Sequence, residues 1–314
     1  MALFFETVTI VLPIFLVIGL GFLLRHIGLF NDDFTQQTNR LVYLVFLPIL
    51  LFHKISQANF VSYFNGPLVI GSSLAIASLF IISYAYASLR RYPAPSLGSF
   101  SQGSFRGNLA YIGLAICLNA YGDSGLTRAS ILMGFLVPVL NLFAIIALIW
   151  PQRNKDSAAP AHNWRREILL NPLILASFAG ISWSYFSLPV PVILKSSLGI
   201  VSGLTLPLAL LAIGGSFSLQ RLKGDLQSAG IASLLKLIGM PVVAALLLTA
   251  LGVQGTDLGI GILLAGTPAA TATYIMAHQM KADAELAGSI VMLSTLASAF
   301  SYTLLLVLLR HYGL

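Results

Sequence analysis

Charged side chains are scarce in this chain. Its 314 residues include 17 Lys and Arg and 10 Asp and Glu, or 9% charged, where a soluble domain carries roughly 25%. So few charges cannot solvate a water-facing surface, which excludes a soluble globular domain. Cysteine is nearly absent too. Cys117 is the one thiol, so no internal disulfide can form, and it reads as a small core residue. Carboxylates are missing from the middle of every apolar run. Glu6, Asp32, Asp33, Asp123, Asp156, Glu167, Asp225, Asp257, Asp283 and Glu285 all fall in connections or at the ends of runs, and Glu6 reads as solvated. A buried acidic proton relay or carboxylate cation site is therefore disfavoured, which favours a small anion or a neutral solute as ligand. Chemical motifs are missing as well. There is no phosphate loop of the GxxxxGK type and no His or Cys cluster with metal-ligand spacing. Gly214-Gly215-Ser216 is not a GxSxG elbow, and no His–Asp pair is placed to activate a serine. No catalysis, ATP-driven step, metal or cofactor is expected. The net charge of +7 is no nucleic-acid signal, because membrane proteins collect Lys and Arg in cytoplasmic loops.

What remains is apolar: 57% of residues are hydrophobic and the mean hydropathy is +0.90. A helix needs about 20 apolar residues to cross a bilayer. Ten such segments are expected, over 5–25, 38–56, 67–89, 101–120, 126–150, 167–186, 192–217, 227–251, 258–279 and 284–310. The first apolar run, 8–24, lacks a basic leader and a small-residue cleavage site, so no cleavable signal peptide is expected. The longest connection, 151–166, is polar and rich in Pro and Ala, and it divides the chain into halves, 1–150 and 167–314. Basic residues set the orientation. Arg25, Arg40, Arg90, Arg91, Arg106, Arg153, Lys155, Arg165, Arg166, Arg221, Lys223 and Lys281 belong to the odd connections. Lys54, Arg128, Lys195 and Arg310 belong to the even ones and the termini. The positive-inside rule makes the odd connections, including the linker, cytoplasmic and both termini non-cytoplasmic.

The two halves share landmarks at a shift of 159 residues, the interval from Pro13 to Pro172, from Pro48 to Pro207 and from Gly107 to Gly266. Each half has five segments, an odd number, so the second half enters the membrane from the opposite side and the repeats are inverted. Inverted repeats can support two states, one open to each side, and paired interrupted segments point to the binding site. The fold expected is therefore an all-α membrane protein of ten transmembrane helices, two inverted five-helix repeats with broken crossover helices four and nine.

Segment four is rich in Gly and Ser up to Gly107-Asn108, and segment nine is interrupted at Gly266-Thr267-Pro268. Proline removes a backbone donor and glycine weakens a helix. Freed backbone groups in lipid are tolerated only inside protein or beside a water-filled cavity. Both breaks should face an internal cavity, where half-helix N-termini favour an anion. Asn108, Tyr111, Thr267, Thr271 and Tyr274 add hydrogen-bonding side chains, with Pro268 at the break itself. Thr271 and Thr273 also read as residues bonding back to their own helix. Pro13, Pro172 and Pro241 read as simple kinks, and His278 as an interfacial residue. Lys236 is the one cation deep in a segment, and reads either as functional or as snorkelling to the cytoplasmic side.

Several of these residues also carry a resemblance. Asn39-Arg40-Leu41-Val42-Tyr43 leading to Leu47-Pro48, then Phe105-Arg106-Gly107-Asn108-Leu109-Ala110-Tyr111-Ile112-Gly113, Gly266-Thr267-Pro268-Ala269-Ala270-Thr271 and Leu293-Ser294-Thr295-Leu296 resemble the auxin efflux carrier family of transporters. That family includes plant PIN carriers and bacterial permeases often labelled malate permease. The resemblance runs through the whole chain. It implies a scaffold of segments one, two, six and seven, which would also form a homodimer contact. A mobile transport domain of segments three to five and eight to ten is implied with it, as are crossing breaks and an Asn108 that binds the substrate carboxylate. The connection after segment five, 151–166, is short for a plant carrier, so a bacterial-type permease is the better match. The second crossover segment offers Thr267, Thr271 and Tyr274 in place of an Asn, so auxin is not the expected cargo.

The expectation is a secondary transporter of small organic anions such as malate, in the cell (inner) membrane, working by an elevator-like or rocking motion. A sodium-coupled symporter of the bile-acid type is the alternative within transport. A ligand sensor that moves nothing is the alternative outside it.

Overall fold

The computed structural model describes residues 2–153, 170–217 and 225–313. Regular structure among them is helical, with no β-strand. Helix α1 (Ala2–His26) is apolar along its length. Helix α2 (Asp32–Leu41) is capped by Asn31, whose side chain accepts from the Phe34 N–H, and carries Asp32 and Asp33 in its first turn. Both features complement a helix N-terminus. A π turn (Val42–Phe46) joins α2 to α3 (Leu47–Ser56). Pro48 follows that turn closely. It cannot donate to the α-helical ladder, and the wide turn takes up the lost bond. The short α4 (Phe60–Tyr63), α5 (Gly66–Leu89) and α6 (Ala94–Phe105) come next. A π turn (Leu109–Gly113) then leads into α7 (Leu114–Ile149). Within α7, Gly122 adopts φ 63°, ψ −157°, a conformation only glycine takes readily, and there one helix ends and another begins.

Helix α8 (Pro172–Tyr185) opens on Asn171, whose Oδ1 accepts from the N–H groups of Leu173 and Ile174. Then come α9 (Val192–Gly215) and α10 (Leu226–Leu234), the latter capped by Asp225. A second π turn before a proline, Leu235–Gly239, leads into α11 (Met240–Ala250) with its Pro241. The chain finishes with α12 (Gly255–Ala265), α13 (Thr271–Gln279) and α14 (Ala284–His311).

Seven of these stretches are long and apolar enough to cross a membrane: Phe5–His26, Asp32–Ser56, Gly66–Leu89, Leu109–Gln152, Val192–Gly215, Leu226–Ala250 and Ala284–His311. The chain is a multi-pass membrane protein. Two helices begin well before hydropathy suggests, at Asp32 rather than 38 and at Ala94 rather than 101. Arg40 accordingly lies inside α2, and Arg106 is the extended residue that ends α6, not part of a connection between helices. Pro172 is no kink; it occupies the first turn of α8, where its missing N–H costs nothing. Of the expected linker, 154–166 lies outside the described residues.

The chain forms two compact units, each drawing on both halves of the sequence. The first holds the residues up to Gly66, Ala110–Val137 and 170–217. In it α1 packs on α9 with backbones almost touching. A Cβ on Gly21 would overlap the Leu211 carbonyl, and one on Gly214 the Ile18 carbonyl. Helix α3 packs on α8 less tightly, where a Cβ on Gly180 would stand 3.0 Å from Ile55 Cβ and 3.4 Å from Phe52 Cα. Small residues let membrane helices approach this way. The Thr205 hydroxyl donates to the Phe46 carbonyl at 3.2 Å.

The second unit holds Pro67–Leu109, the residues from Pro138 to 153, and 225–313. Its core gathers Ala87, Leu97, Phe100, Ala229, Ala232, Ala269, Leu286 and Ile290. Phe100 packs against the rings of Tyr86 and Tyr92, centroids 5.5 and 5.3 Å away. Every residue of α6 from Leu97 to Phe105 is buried. This small, polar helix is solvated by protein rather than by lipid, which is why its sequence is not greasy.

Candidate functional site

The two interrupted segments meet in the second unit. Helix α6 stops at Arg106 and α12 stops at Gly266. Between the ends lies an antiparallel bridge, Gly107 opposite Ala269. The Asn108 N–H donates to the Pro268 carbonyl at 2.8 Å, and the Ala270 N–H donates to the Arg106 carbonyl at 3.0 Å. The Ala269 N–H donates to Ser294 Oγ of α14 at 3.0 Å. Unwound backbone at membrane depth must find such partners inside the protein. Here each break supplies them to the other, and Ala269 is itself a core residue of the unit.

Gly107 is fixed by space. A Cβ on it would overlap the Thr267 hydroxyl and lie 3.1 Å from Lys236 Cε. Its φ is not among the positive values, so the glycine serves close approach rather than backbone conformation. Gly266 is similar: its Cβ would stand 2.7 Å from Leu305 Cδ2.

The last carbonyls of α12 are each taken. Tyr302 Oη donates to the Leu263 carbonyl at 3.2 Å, and Thr267 Oγ1 to that of Leu264 at 2.8 Å. Lys236 Nζ donates to the carbonyl of Ala265, the final residue of the helix, at 2.6 Å. Helix C-termini leave orphan carbonyls with negative partial charge, which cations satisfy. Lys236 is 1% exposed. It does not snorkel; it is buried in a π turn, a feature that often marks functional positions.

Asn108 is buried at this crossing, beside the bridge. Thr267 is fully buried, and its hydroxyl proton goes back to its own helix. Pro268 contributes its carbonyl. Thr271 begins α13 and Tyr274 lies one turn on, its ring 6.4 Å from that of His278; both are half-buried. Thr273 is buried and its hydroxyl has no partner among the described residues, so it does not bond back to its helix.

Sequence reasoning passed over three residues of this neighbourhood. Arg106 Nη2 donates to Asn141 Oδ1 of α7 at 2.7 Å, so Arg106 belongs to the crossing and not to a loop. Asn141 is a polar side chain within an apolar run, which is the signal that could have found it. Ser294 sits in the Leu293-Ser294-Thr295-Leu296 motif.

The other candidates lie in the first unit. Tyr111 Oη donates to the Asn39 carbonyl at 3.4 Å, and Asn39 Nδ2 to Thr35 O and Ser216 Oγ, each at 3.1 Å. Asn171 Nδ2 donates to Tyr43 Oη at 2.9 Å. These are polar ties between membrane helices. Pro48 follows its π turn, and Pro207 is exposed within α9.

Among the described residues no group of His, Cys, Asp and Glu could hold a metal ion. The arrangement instead offers a buried ammonium, paired main-chain strands and hydrogen-bonding side chains.

Comparison with known proteins identifies the family. The family described as membrane transport protein matches residues 7–306. An uncharacterized transporter of Methanothermobacter thermautotrophicus is 23% identical over 303 residues, 96% of this chain and 98% of the relative. A protein of Rhizobium meliloti named "Putative malonate transporter" is 25% identical over 313 residues, 98% of each chain. An uncharacterized transporter of Methanocaldococcus jannaschii is 22% identical over 295 residues, 91% of this chain and 93% of the relative. With the family matched over nearly its whole length, this chain belongs to the membrane transport protein family, that of the auxin efflux carriers, and is a multi-pass membrane transporter rather than an enzyme.

Proposed function

We propose that this protein is a secondary transporter of small organic anions, with malonate, malate or a similar short carboxylate as cargo, working by alternating access in the cell membrane. The observation that carries this reading is Lys236, a buried cation at the crossing of the broken helices. The described carboxylates are Glu6, Asp32, Asp33, Asp123, Asp225, Asp257, Asp283 and Glu285, and none of them is buried. A buried charge without a counter-charge is costly. An anionic cargo offsets it, whereas a cationic cargo would add to it. The name of the Rhizobium relative specifies malonate, a dicarboxylate.

The architecture we propose is ten helices in two inverted repeats, 1–150 and 167–314, joined by a linker. Contacts at the repeat interval support it. Gly21 meets Leu211, and Gly180, its counterpart, meets Phe52, the counterpart of Leu211. Thr205 bonds the carbonyl 159 residues before it. The pairing of the breaks maps onto itself under the same shift, Gly107 opposite Ala269 becoming Gly266 opposite Ala110. With Arg106 assigned to the crossing and Arg40 to the body of α2, ten basic residues at or near the odd connections stand against four at or near the even ones and the termini. That still favours a cytoplasmic linker and non-cytoplasmic termini. An elevator-like or rocking movement and a homodimer through segments one, two, six and seven complete the proposal.

Flux into proteoliposomes tests it, with labelled malonate, malate, an amino acid and a neutral sugar offered in parallel. Uptake of a carboxylate is expected, falling by about tenfold or more in Asn108→Ala and Pro268→Ala while both variants stay folded and inserted. Wild-type flux in both variants would remove the crossing as the site. Flux of neutral solutes alone would remove the anion.

A further inference from the structure

Among the buried polar groups, Lys236 has the placement that the fold alone does not explain. It projects from a π turn to the exact end of a half-helix, its Nζ 2.6 Å from the Ala265 carbonyl. In transporters with broken helices, unwound carbonyls and half-helix C-termini are where coupling cations bind. An ammonium is a compact monovalent charge with three donors, and a charge-assisted bond of this length is among the stronger ones a carbonyl makes. The neighbouring carbonyls of Leu264 and Leu263 are taken by Thr267 and Tyr302. Ala265 O is the one in this series that receives a cation.

Room for that cation is made by Gly107. A Cβ there would sit 3.1 Å from Lys236 Cε and 3.3 Å from Nζ. The missing side chain on one break therefore lets the lysine of α10–α11 reach the end of the other. Ala265, Gly107 and Lys236 all belong to one compact unit.

We propose that the ammonium of Lys236 is a tethered cation occupying a monovalent-cation position at the crossing, so that this transporter holds the site together and moves its anion without sodium. The part concerning the anion rests on the function proposed above. The part concerning sodium does not, because it follows from the carbonyl that the ammonium occupies. The lysine travels with the protein and need not be collected from solution.

The test separates the two parts. Thermal unfolding of the purified, substrate-free protein is measured in sodium chloride and in choline chloride at equal ionic strength, for the wild type, Lys236→Ala and Lys236→Arg. The wild type should unfold at the same temperature in both salts. Lys236→Ala should unfold several degrees lower in choline and recover when sodium or methylammonium enters the vacated position, since a ligand of the folded state raises its apparent stability. Malonate flux in the two salts then tests the rest, with an expected loss of about tenfold or more in Lys236→Ala in choline. Sodium stabilisation of the wild type would overturn the proposal, as would a Lys236→Ala protein indifferent to every added cation. If Lys236→Ala does not fold, Lys236→Arg replaces it, since a guanidinium keeps the charge, and the wild-type salt comparison still decides. Sodium-independent stability with rescue of Lys236→Ala, but no carboxylate flux in either salt, would uphold the tethered cation and sink the anion reading alone.

Discussion

Gly107 shapes the crossing by lacking a side chain. Thr267 Oγ1 and the end of Lys236 occupy the space its Cβ would need. Gly107→Ala should destabilise the fold by about 1–3 kcal/mol, the usual cost of overpacking a close-packed interior, and should impair flux more than stability because it dislodges the ammonium. Parallel thermal unfolding and proteoliposome uptake check this, and an Ala variant with wild-type stability and flux would show that the contact yields freely. The glycine was legible in the sequence through its pairing with Gly266. Its neighbour was not. Whether a lysine in an apolar run snorkels or stays inside depends on a carbonyl 29 residues away, and that is a fact of tertiary structure alone. Arg106 is hard to place for a related reason: a basic residue near the start of an apolar run resembles a loop residue, and only its bond to Asn141 places it inside.

At the scale of elements, hydropathy located the helices by their greasiest parts and missed their beginnings. The first turns of α2 are polar and announced by Asn31 with Asp32 and Asp33, while α6 starts on Ala94-Pro95 and runs through Ser and Gly. Capping residues and N-terminal proline would have found both starts. Helix α6 looked weak in sequence because it faces protein on every side, where small residues are wanted and apolar bulk is not. The same logic of close approach governs the helix pairs of the first unit. Gly21 presses on the backbone of Leu211, whereas Gly180 presses mainly on the side chain of Ile55. A backbone cannot step aside and a side chain can. Gly21→Ala should therefore cost more than Gly180→Ala, about 1–3 kcal/mol against less than that. Thermal unfolding of the two variants gives the order, and the reverse order would mean that α1 and α9 separate more easily than α3 and α8.

At the scale of the molecule, the halves of the sequence are not the compact units. Each unit takes material from both halves, and the divisions fall next to the break in segment four and at Val137–Pro138 within α7. No local signal marks such divisions, because they follow from which helices pack together. The interval of 159 residues is a feature of the sequence, and the Phe46–Thr205 contact joins two positions that far apart. In the proposed cycle the two end states differ by an exchange of conformation between halves, so the distance between a residue and its own counterpart is the same in both. Spin labels on Phe46→Cys and Thr205→Cys, in a Cys117→Ala background, should report one unchanging separation while labels on unrelated positions report two. A transporter built this way contains its own ruler: a set of paired positions whose spacing calibrates every other distance measured as it turns over.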